Sequence, residues 1–300
     1  MKKFILTIIV VLFLIPIYAK EVTEMKVLSI GNSFSHDGFS YVPFLLKDID
    51  PNINLTISIA SVGGCTLEQH ITYANSKENK YDYYKYTPET NKWVHPKETK
   101  NLDACIQDED WDLIILQQQS VRSQDYSTYQ PFLNNLIDYI YATVKKPVKL
   151  AWHLTPAYGN IGNEGIDMFQ ASANAAQQVL KDTIIDIVIP NGTAIQNMRG
   201  TKLSVLGNKG HLSVDTHHMQ EGLPRQTEAY TTILCLLKLC GRDYKSILGN
   251  KTICDAKWLT GEKRTWSTGT PVGSTVENLV IAQKCAIMAV KNPFTVTPIN

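Results

Sequence analysis

The chain has 300 residues, 44% of them hydrophobic, which is enough apolar material for one large core or two small ones. Its 29 Lys and Arg residues nearly balance 28 Asp and Glu residues, and the formal net charge is +1. Such a balance leaves no excess charge to hold a nucleic acid or an acidic membrane surface, so neither is expected as a partner.

The N-terminal residues have the composition of a secretory signal. Met1–Lys3 is basic, residues 4–17 are apolar, and Ala19 is a small residue at which cleavage is expected. The apolar run is shorter than the ~20 residues that a bilayer crossing needs. No cysteine follows it until Cys65, so the thiol required for a lipid anchor is missing. We therefore expect a signal peptide over 1–19 and a secreted or periplasmic protein with no stable membrane anchor.

Short β-rich runs alternate with amphipathic segments along the rest of the chain. The runs that predict buried strands are 25–30, 55–60, 113–116, 148–153 and 184–189. The segments with helical spacing are 41–49, 128–143, 168–180, 220–239 and 273–290. This alternation predicts an α/β fold with three layers, in which helices cover both faces of a parallel sheet of about five strands. No linker or repeat divides residues 20–300, which are predicted to form a single domain.

Two ring-rich stretches depart from the alternation. Residues 75–101 are polar and predict a hairpin inserted after the second βα unit, with these rings around its turn: Tyr81, Tyr83, Tyr84, Tyr86 and Trp93. Residues 254–271 hold Trp258 and Trp266. Rings of this kind either stack on sugars or pack in the core, and the sequence leaves both open.

The six cysteines are too few for a disulfide scaffold. Cys235 and Cys240 are five positions apart in a helical pattern and point to different faces. One or two bridges at most are compatible with the sequence, for example from Cys254 to the neighbouring helices. We expect all six to be structural.

A candidate nucleophile follows the first predicted strand. The apolar run 27–30 stops at Gly31, and Ser33 comes two residues later. A strand that ends in this way holds a hydroxyl at the carboxyl edge of the sheet, where open α/β sheets place their ligands. Taken alone, a small residue after a strand is more often part of a turn.

A candidate acid and base lie close together far down the chain. Asp215 and His218 are three residues apart, so one turn can present both on the same side. An imidazole can take the proton of a serine, and a carboxylate fixes the tautomer of that imidazole. Asp215 would also suit the N-cap of the helix predicted over 220–239. Its combination with Ser33 favours nucleophilic catalysis.

Acyl transfer also needs hydrogen-bond donors for the developing oxyanion, each worth about 3 to 4 kcal/mol when well placed. Gly64 follows the second predicted strand and could offer a backbone N–H. The third predicted strand ends in Gln117, Gln118 and Gln119, and a side-chain amide there could be another donor. The run does not show which amide points inward, and Gln118 is our choice.

These segments, taken in order, resemble the SGNH or GDSL hydrolases, which are mostly esterases and acetylesterases with a flavodoxin-like fold. Gly31-Asn32-Ser33-Phe34 is similar to the nucleophile block, Gly64-Cys65-Thr66 to the glycine block and Asp215-Thr216-His217-His218 to the final Asp-x-x-His block. The resemblance implies Ser33 as nucleophile, Gly64 as an oxyanion donor, Asp215 as orienting acid, His218 as base, and no cofactor. The likeness is strongest to a bacterial branch with the sequence Gly-Asn-Ser-Phe-Ser.

The chain departs from the family pattern at two blocks. Asn32 stands where the family usually has an aspartate, and the glutamine run replaces the Gly-x-Asn-Asp pattern of the third block. The first difference leaves the nucleophile in place, and Asn32 is expected with Gly64, Gln118 and Gln117 among the residues that bind the oxyanion or the substrate. The second implies that a glutamine, Gln118 or its neighbour Gln117, takes over from the asparagine donor.

Three other functions compete with this one. A nucleophile elbow of the α/β-hydrolases is disfavoured because Ser35 stands where Gly-x-Ser-x-Gly has its last glycine. A metal-dependent hydrolase could use the ligand types present at His211, Asp215, His217 and His218. A carbohydrate-binding protein without catalysis is the third. We expect a secreted serine esterase that removes an acetyl or other small acyl group from a carbohydrate without a metal.

Overall fold

The computed structural model describes residues 24–159, 162–243, 247–254 and 272–299, with the backbone alone for 162–166. The expected signal peptide over 1–19 and the rings of Trp258 and Trp266 lie outside the described residues.

A seven-stranded sheet runs through the centre of the molecule. Its strands, in chain order, are β1 (Glu24–Gly31), β2 (Asn54–Ser61), β3 (Asp82–Tyr86), β4 (Trp93–Val94), β5 (Leu113–Leu116), β6 (Lys149–His153) and β7 (Ile187–Ile189). The spatial order is β4-β3-β2-β1-β5-β6-β7. Strands β2, β1, β5, β6 and β7 pair in parallel, in the 2-1-3-4-5 order of flavodoxin-like sheets. The five predicted parallel strands are therefore confirmed.

The sheet has two strands beyond the five parallel ones, because the ring-rich insertion forms part of it. Strands β3 and β4 are an antiparallel hairpin that pairs with β2, in the register Ser61 with Asp82 and Ile57 with Tyr86. A hairpin can extend an open edge because β2 otherwise presents unpaired N–H and C=O groups there.

Helices cover both faces of the sheet and complete the three-layer α/β/α fold. They are α1 (Ser33–Phe39), α2 (Val42–Ile49), α3 (Leu67–Ser76), α4 (Leu102–Ile106), α5 (Phe132–Thr143), α6 (Gly162–Asp182), α7 (Asn191–Arg199), α8 (Leu223–Leu239) and α9 (Val276–Lys291). The core on one face includes residues of α1, α2, α7, α8 and α9, and the core on the other includes residues of α3 to α6. None of the described helices is both long and apolar enough to span a bilayer.

Burial on both faces explains why the strands are continuous apolar runs in the sequence. Met25 and Val27 of β1 pack in the α8-side core, whereas Leu28 and Ile30 pack in the opposite core. The predicted helix over 220–239 starts later, at Leu223, because Gly222 has a left-handed φ of 90° and ends the preceding loop.

Most rings of the hairpin belong to the core. Tyr81, Tyr83, Tyr86 and Trp93 are between 0% and 4% exposed, and the Trp93 indole N–H donates to the Ser40 carbonyl at 2.9 Å. Four of the five rings are therefore closed to a sugar, and stacking on them is excluded. Only Tyr84 is half-buried.

All six cysteines lie within the described residues; they are buried and form no disulfide. Burial raises the pKa of the Cys65 thiol to about 12, so this thiol beside the glycine turn stays protonated at neutral pH. The structural role expected for the cysteines agrees with this burial, while the possible bridges are absent.

Candidate active site

Ser33 lies at the point where the chain connections of the sheet change direction. Strand β1 leads into α1 on one face, while its neighbour β5 leads toward α5 on the other face. Open α/β sheets bind ligands in the crevice at the carboxyl ends of such strands. Ser33 is the first residue of α1 and is half-buried at this edge.

Two residues before Ser33 shape the turn from strand to helix. A Cβ atom on Gly31 would lie 2.6 Å from both Gln117 Cδ and Ser35 Oγ, so any larger residue would displace these two side chains. Asn32 caps α1, since its Oδ1 accepts from Phe34 N–H at 3.2 Å. Its Nδ2 donates to the Cys65 carbonyl at 3.2 Å and joins the turns after β1 and β2.

The three side chains predicted to converge lie within hydrogen-bonding distance. His218 Nε2 is 2.8 Å from Ser33 Oγ, across 185 residues of sequence. His218 Nδ1 is 2.6 Å from Asp215 Oδ2, a length typical of a charge-assisted hydrogen bond. The His218 side chain is 16% exposed and the Asp215 side chain 42% exposed. The result is a continuous hydroxyl–imidazole–carboxylate chain at the sheet edge.

Backbone donors hold the Asp215 carboxylate in place. Its Oδ1 accepts from the N–H groups of His217 at 3.1 Å and His218 at 2.8 Å. Burial raises the pKa of Asp215, but the hydrogen bonds from the His218 ring and from these two N–H groups outweigh it, and the pKa lies below its usual value. The alternative that Asp215 caps α8 is wrong, because the cap residue of α8 is Gly222.

His217 and Tyr158 form a wall beside the imidazole of His218, and sequence reasoning missed Tyr158. The His217 ring is 4.2 Å from the His218 ring and 5.2 Å from the Tyr158 ring, measured between centroids. Tyr158 Oη lies 2.8 Å from Ser120 Oγ, which follows β5. Burial, with a smaller effect of His218, lowers the pKa of His217. No motif could have revealed Tyr158, a single tyrosine in a loop.

Gly64 lies in an exposed turn after β2. It has a φ of +64°, and Cys65 N–H closes the turn on the Val62 carbonyl at 3.1 Å. A Cβ built on Gly64 meets no atom within 4 Å, so the space above it is open. Among the described residues, no acceptor takes the N–H of Gly64 or that of Ser33, which is the first N–H of α1.

Gln117 is a buried linker between β5 and the nucleophile turn. Its Nε2 donates to Asn32 Oδ1 at 2.7 Å, and its Oε1 accepts from Ser35 Oγ at 3.1 Å. His153 Nδ1 lies 2.9 Å from the same Oε1, so this nitrogen carries the proton of the neutral ring. Burial lowers the pKa of His153 to about 3 and keeps the ring neutral. The amides of Gln117 and Asn32 are thus committed to the turn rather than open to substrate.

Gln118 is also committed to structure. Its Oε1 accepts from the N–H groups of Leu67 at 3.0 Å and Gln119 at 2.9 Å, and its Nε2 donates to Thr128. The choice of Gln118 as the amide donor is therefore not supported by its contacts. Gln119 is half-buried, its Oε1 accepts from Arg122 N–H at 3.1 Å, and within the described residues its Nε2 has no acceptor.

One group of side chains among the described residues has the spacing of metal ligands. Donor atoms of Asp215, His217 and His218 all lie within 4.8 Å of one another. His211, the fourth ligand considered from the sequence, is exposed and outside this group. Three ligands are the number that catalytic zinc sites provide, but here Asp215 and His218 already bond each other.

Fold and site together define a doubly wound α/β protein with a serine–histidine–aspartate chain at its switch point. Residues 26–246 match the family model described as Domain of unknown function (DUF4886). This stretch is most of the chain, and the protein belongs to that family.

Two solved structures are similar to the chain. A DUF4886 family protein from Bacteroides uniformis ATCC 8492 is 25% identical over 92% of this chain and 98% of its own, with a TM-score of 0.71. A protein described as a candidate SGNH hydrolase from Slackia heliotrinireducens is 17% identical over 71% of this chain and 98% of its own, with a TM-score of 0.47. No curated protein matches the chain significantly.

Proposed function

We propose that this protein is a serine esterase that removes an acetyl or other small acyl group from a carbohydrate. The observation that carries the proposal is the chain from Ser33 Oγ through His218 to Asp215, with links of 2.8 and 2.6 Å. A serine hydroxyl becomes a nucleophile when an imidazole accepts its proton and a carboxylate orients that imidazole.

In the acylation step, Ser33 Oγ attacks the acyl carbonyl carbon of the ester. His218 Nε2 takes the hydroxyl proton and then gives it to the alkoxide of the departing alcohol. Asp215 accepts the Nδ1–H bond throughout and stabilises the transient imidazolium. In the second step, a water molecule loses its proton to the same Nε2 and attacks the acyl-serine, which releases the acid and restores the Ser33 hydroxyl.

The oxyanion is the second requirement, and the exposed turn beside Ser33 supplies candidate donors. We assign the N–H groups of Ser33 and Gly64, which have no acceptor within the described residues. For the side-chain amide we favour Gln119 over Gln118, because the Gln118 amide is already bonded to Thr128. Each well-placed donor lowers the barrier by about 3 to 4 kcal/mol.

The proposed substrate and location rest on the surroundings of His218, on residues 1–19 and on the resemblance to acetylesterases. The half-buried polar side chains of His217 and Tyr158 lie beside His218, and they suit a hydroxylated alcohol better than a long acyl chain. Export is proposed from residues 1–19, and the carbohydrate from the resemblance to acetylesterases. Four buried rings in the hairpin weaken the alternative of a protein that only binds carbohydrate.

The first test is hydrolysis of p-nitrophenyl acetate by the purified protein. We expect turnover by the wild type and none above background for Ser33→Ala. A matched control is Ser61→Ala, because Ser61 Oγ also lies 2.8 Å from an imidazole nitrogen, that of His36, but both side chains are buried at 5% and 4% exposure. This control should retain activity. Fluorophosphonate labelling with peptide mapping should modify Ser33, and modification elsewhere would contradict the assignment.

A metal-dependent hydrolase is the second candidate, supported by the Asp215, His217 and His218 group. In that case the two imidazoles and the carboxylate would bind a divalent cation that activates water. Activity that disappears on dialysis against EDTA and returns with added Zn²⁺ would favour this candidate. Activity that survives chelation and disappears with fluorophosphonate favours the serine mechanism.

A further inference from the structure

A buried ion pair lies directly beneath the loop that carries His218. Asp37 is 0% exposed and Arg225 is 1% exposed. Arg225 Nη2 is 3.0 Å from Asp37 Oδ1, close enough for an ion pair although the angle is not that of a hydrogen bond. Burial of two charged side chains costs desolvation free energy. The contacts that these side chains make in the core therefore indicate their role.

Both charged side chains form hydrogen bonds with the backbone of one residue, Met219, which follows His218. Asp37 Oδ2 accepts from Met219 N–H at 3.0 Å. Arg225 Nε donates to the Met219 carbonyl at 2.8 Å. The N–H of Met219 is thus held by an anion and its carbonyl by a cation. Met219 is the residue next to His218.

Helix α1 connects Asp37 to the candidate nucleophile, Ser33. Ser33 is its first residue, and Asp37 lies one turn further along the same helix. The helix is buried at every position after Ser33, so its ends cannot move independently of the core. The distance from the serine hydroxyl to the His218 loop is therefore set along a rigid path from Ser33 through α1 and Asp37 to Met219.

Arg225 makes the same connection from the other side of the loop. It lies in the first turn of α8, and only six residues separate His218 from Arg225. The loop itself is closed by Val214 N–H, which donates to the His218 carbonyl at 2.9 Å. Residues 215–218 therefore form a rigid loop. The two hydrogen bonds to Met219 set the position of this loop relative to Ser33.

We propose that Asp37 and Arg225 are positioning residues, which hold the imidazole of His218 at bonding distance from Ser33 through the backbone of Met219. Neither side chain touches the reacting atoms. The expected effect on kcat rests on the proposed function. The expected effect on the position of the His218 ring does not depend on what the protein hydrolyses.

Three variants separate positioning from folding. Asp37→Asn keeps an oxygen for Met219 N–H and loses the ion pair. Arg225→Lys keeps the charge, but a single ammonium lacks the planar fork that reaches Asp37 and the Met219 carbonyl together. The triple variant Asp37→Asn, Glu221→Gln and Arg225→Gln removes the pair together with Glu221, whose carboxylate is 2% exposed and lies 3.8 Å from Arg225 Nη1, so that none of these three charges stays uncompensated in the core. The matched control is Arg242→Lys, because Arg242 forms an ion pair with Asp50, with Nε 3.2 Å from Oδ2, at the opposite edge of the sheet.

The kinetic readout is the separation of kcat from KM on p-nitrophenyl acetate, at temperatures where circular dichroism shows each variant fully folded. We expect the Asp37 and Arg225 variants to lose about 10- to 100-fold in kcat with KM within about two-fold, because a displaced base costs rate rather than binding. Arg242→Lys should match the wild type. A purely structural role would leave the kcat of the folded fraction unchanged.

The spectroscopic readout is the downfield NMR resonance of the Nδ1 proton between His218 and Asp215. The short 2.6 Å bond should give such a signal in the wild type, and it should shift or broaden in the Asp37 and Arg225 variants but not in Arg242→Lys. Folded variants with wild-type kcat and an unchanged resonance would overturn the proposal. If the wild type hydrolyses no ester but the resonance responds, the positioning role stands and the esterase assignment fails.

Discussion

Asp215→Asn is the sharpest test of the imidazole chain, because the surrounding hydrogen bonds dictate how the new amide must orient. The carboxylate Oδ1 accepts from the N–H groups of His217 and His218, so the asparagine must place its oxygen there. Its NH₂ group then occupies the position of Oδ2, 2.6 Å from His218 Nδ1 in the present structure. A donor facing this nitrogen forces the ring proton onto Nε2, which is the wrong tautomer to accept a proton from Ser33.

The expected loss in kcat follows from that tautomer and from solvent access. The corresponding substitution costs about 10⁴-fold in a serine protease with a buried aspartate. Asp215 is 42% exposed, so water can enter beside the amide and partly relieve the conflict. We therefore expect a loss of about 10³-fold in kcat, or about 4 kcal/mol in the activation barrier. KM should change little, since the amide does not contact substrate.

The assay is steady-state hydrolysis of p-nitrophenyl acetate, with thermal unfolding measured on the same samples. The fold should be retained, because both backbone hydrogen bonds to Oδ1 survive. Asp182→Asn is a suitable control, since Asp182 is an exposed aspartate whose side chain bonds Tyr126 and Gln178 away from the site. A folded Asp215→Asn protein with kcat within ten-fold of the wild type would refute the role of Asp215.

Three further predictions follow from the described contacts. Ser33→Ala and His218→Ala should each reduce kcat by roughly 10⁵- to 10⁶-fold, and the double variant should be hardly slower than either, because the residues act as one unit. Gly31→Ala should destabilise the fold by about 1 to 3 kcal/mol, because its Cβ would be 2.6 Å from two side-chain atoms. The free energy of unfolding should fall as the pH drops from 7 toward 4, because burial lowers the pKa of His70 to about 4 and that of His153 to about 3.

The sign of the acid effect is fixed by the direction of these shifts. Both folded-state pKa values lie below the unfolded value near 6.5, so the unfolded chain binds more protons in this range and gains stability relative to the native state. Each histidine contributes a slope of at most about 1.4 kcal/mol per pH unit. Urea unfolding at several pH values measures it, and a flat stability between pH 7 and 5 would contradict the burial argument. Additive losses in the Ser33 and His218 double variant, or wild-type stability in Gly31→Ala, would contradict the other two predictions.

The parallel strands were predictable because they are buried on both faces and therefore leave continuous apolar runs. The hairpin was predictable as a hairpin, yet its rings were not predictable as core. Whether Tyr83 or Trp93 is exposed depends on the pairing of β3 with β2 and on the packing of the hairpin against Ser40, which lies 53 residues from Trp93. Composition alone cannot distinguish a ring that meets solvent from one that meets another part of the same chain.

The glutamine run illustrates a second limit. Gln117, Gln118 and Gln119 are chemically identical and adjacent, so no pattern separates their roles. Their roles depend on the neighbours that the fold brings to them. Gln117 bonds Asn32 and Ser35, whereas Gln118 bonds Leu67 and Thr128. Asp37 was missed for a related reason, because one acid in a short helix of mixed composition gives no sign of an arginine far down the chain.

The sequence by itself determined the alternation of strands and helices, the placement of Ser33 after a strand and the spacing of Asp215 and His218. These features are local, since apolar periodicity and residue type act over a few positions. Only the tertiary structure decided that the hydroxyl and the imidazole meet across 185 residues, that Asp37 and Arg225 hold the loop between them, and which amides are already bonded. Contacts of that kind depend on how distant segments pack, and packing is a property of the whole core rather than of any segment.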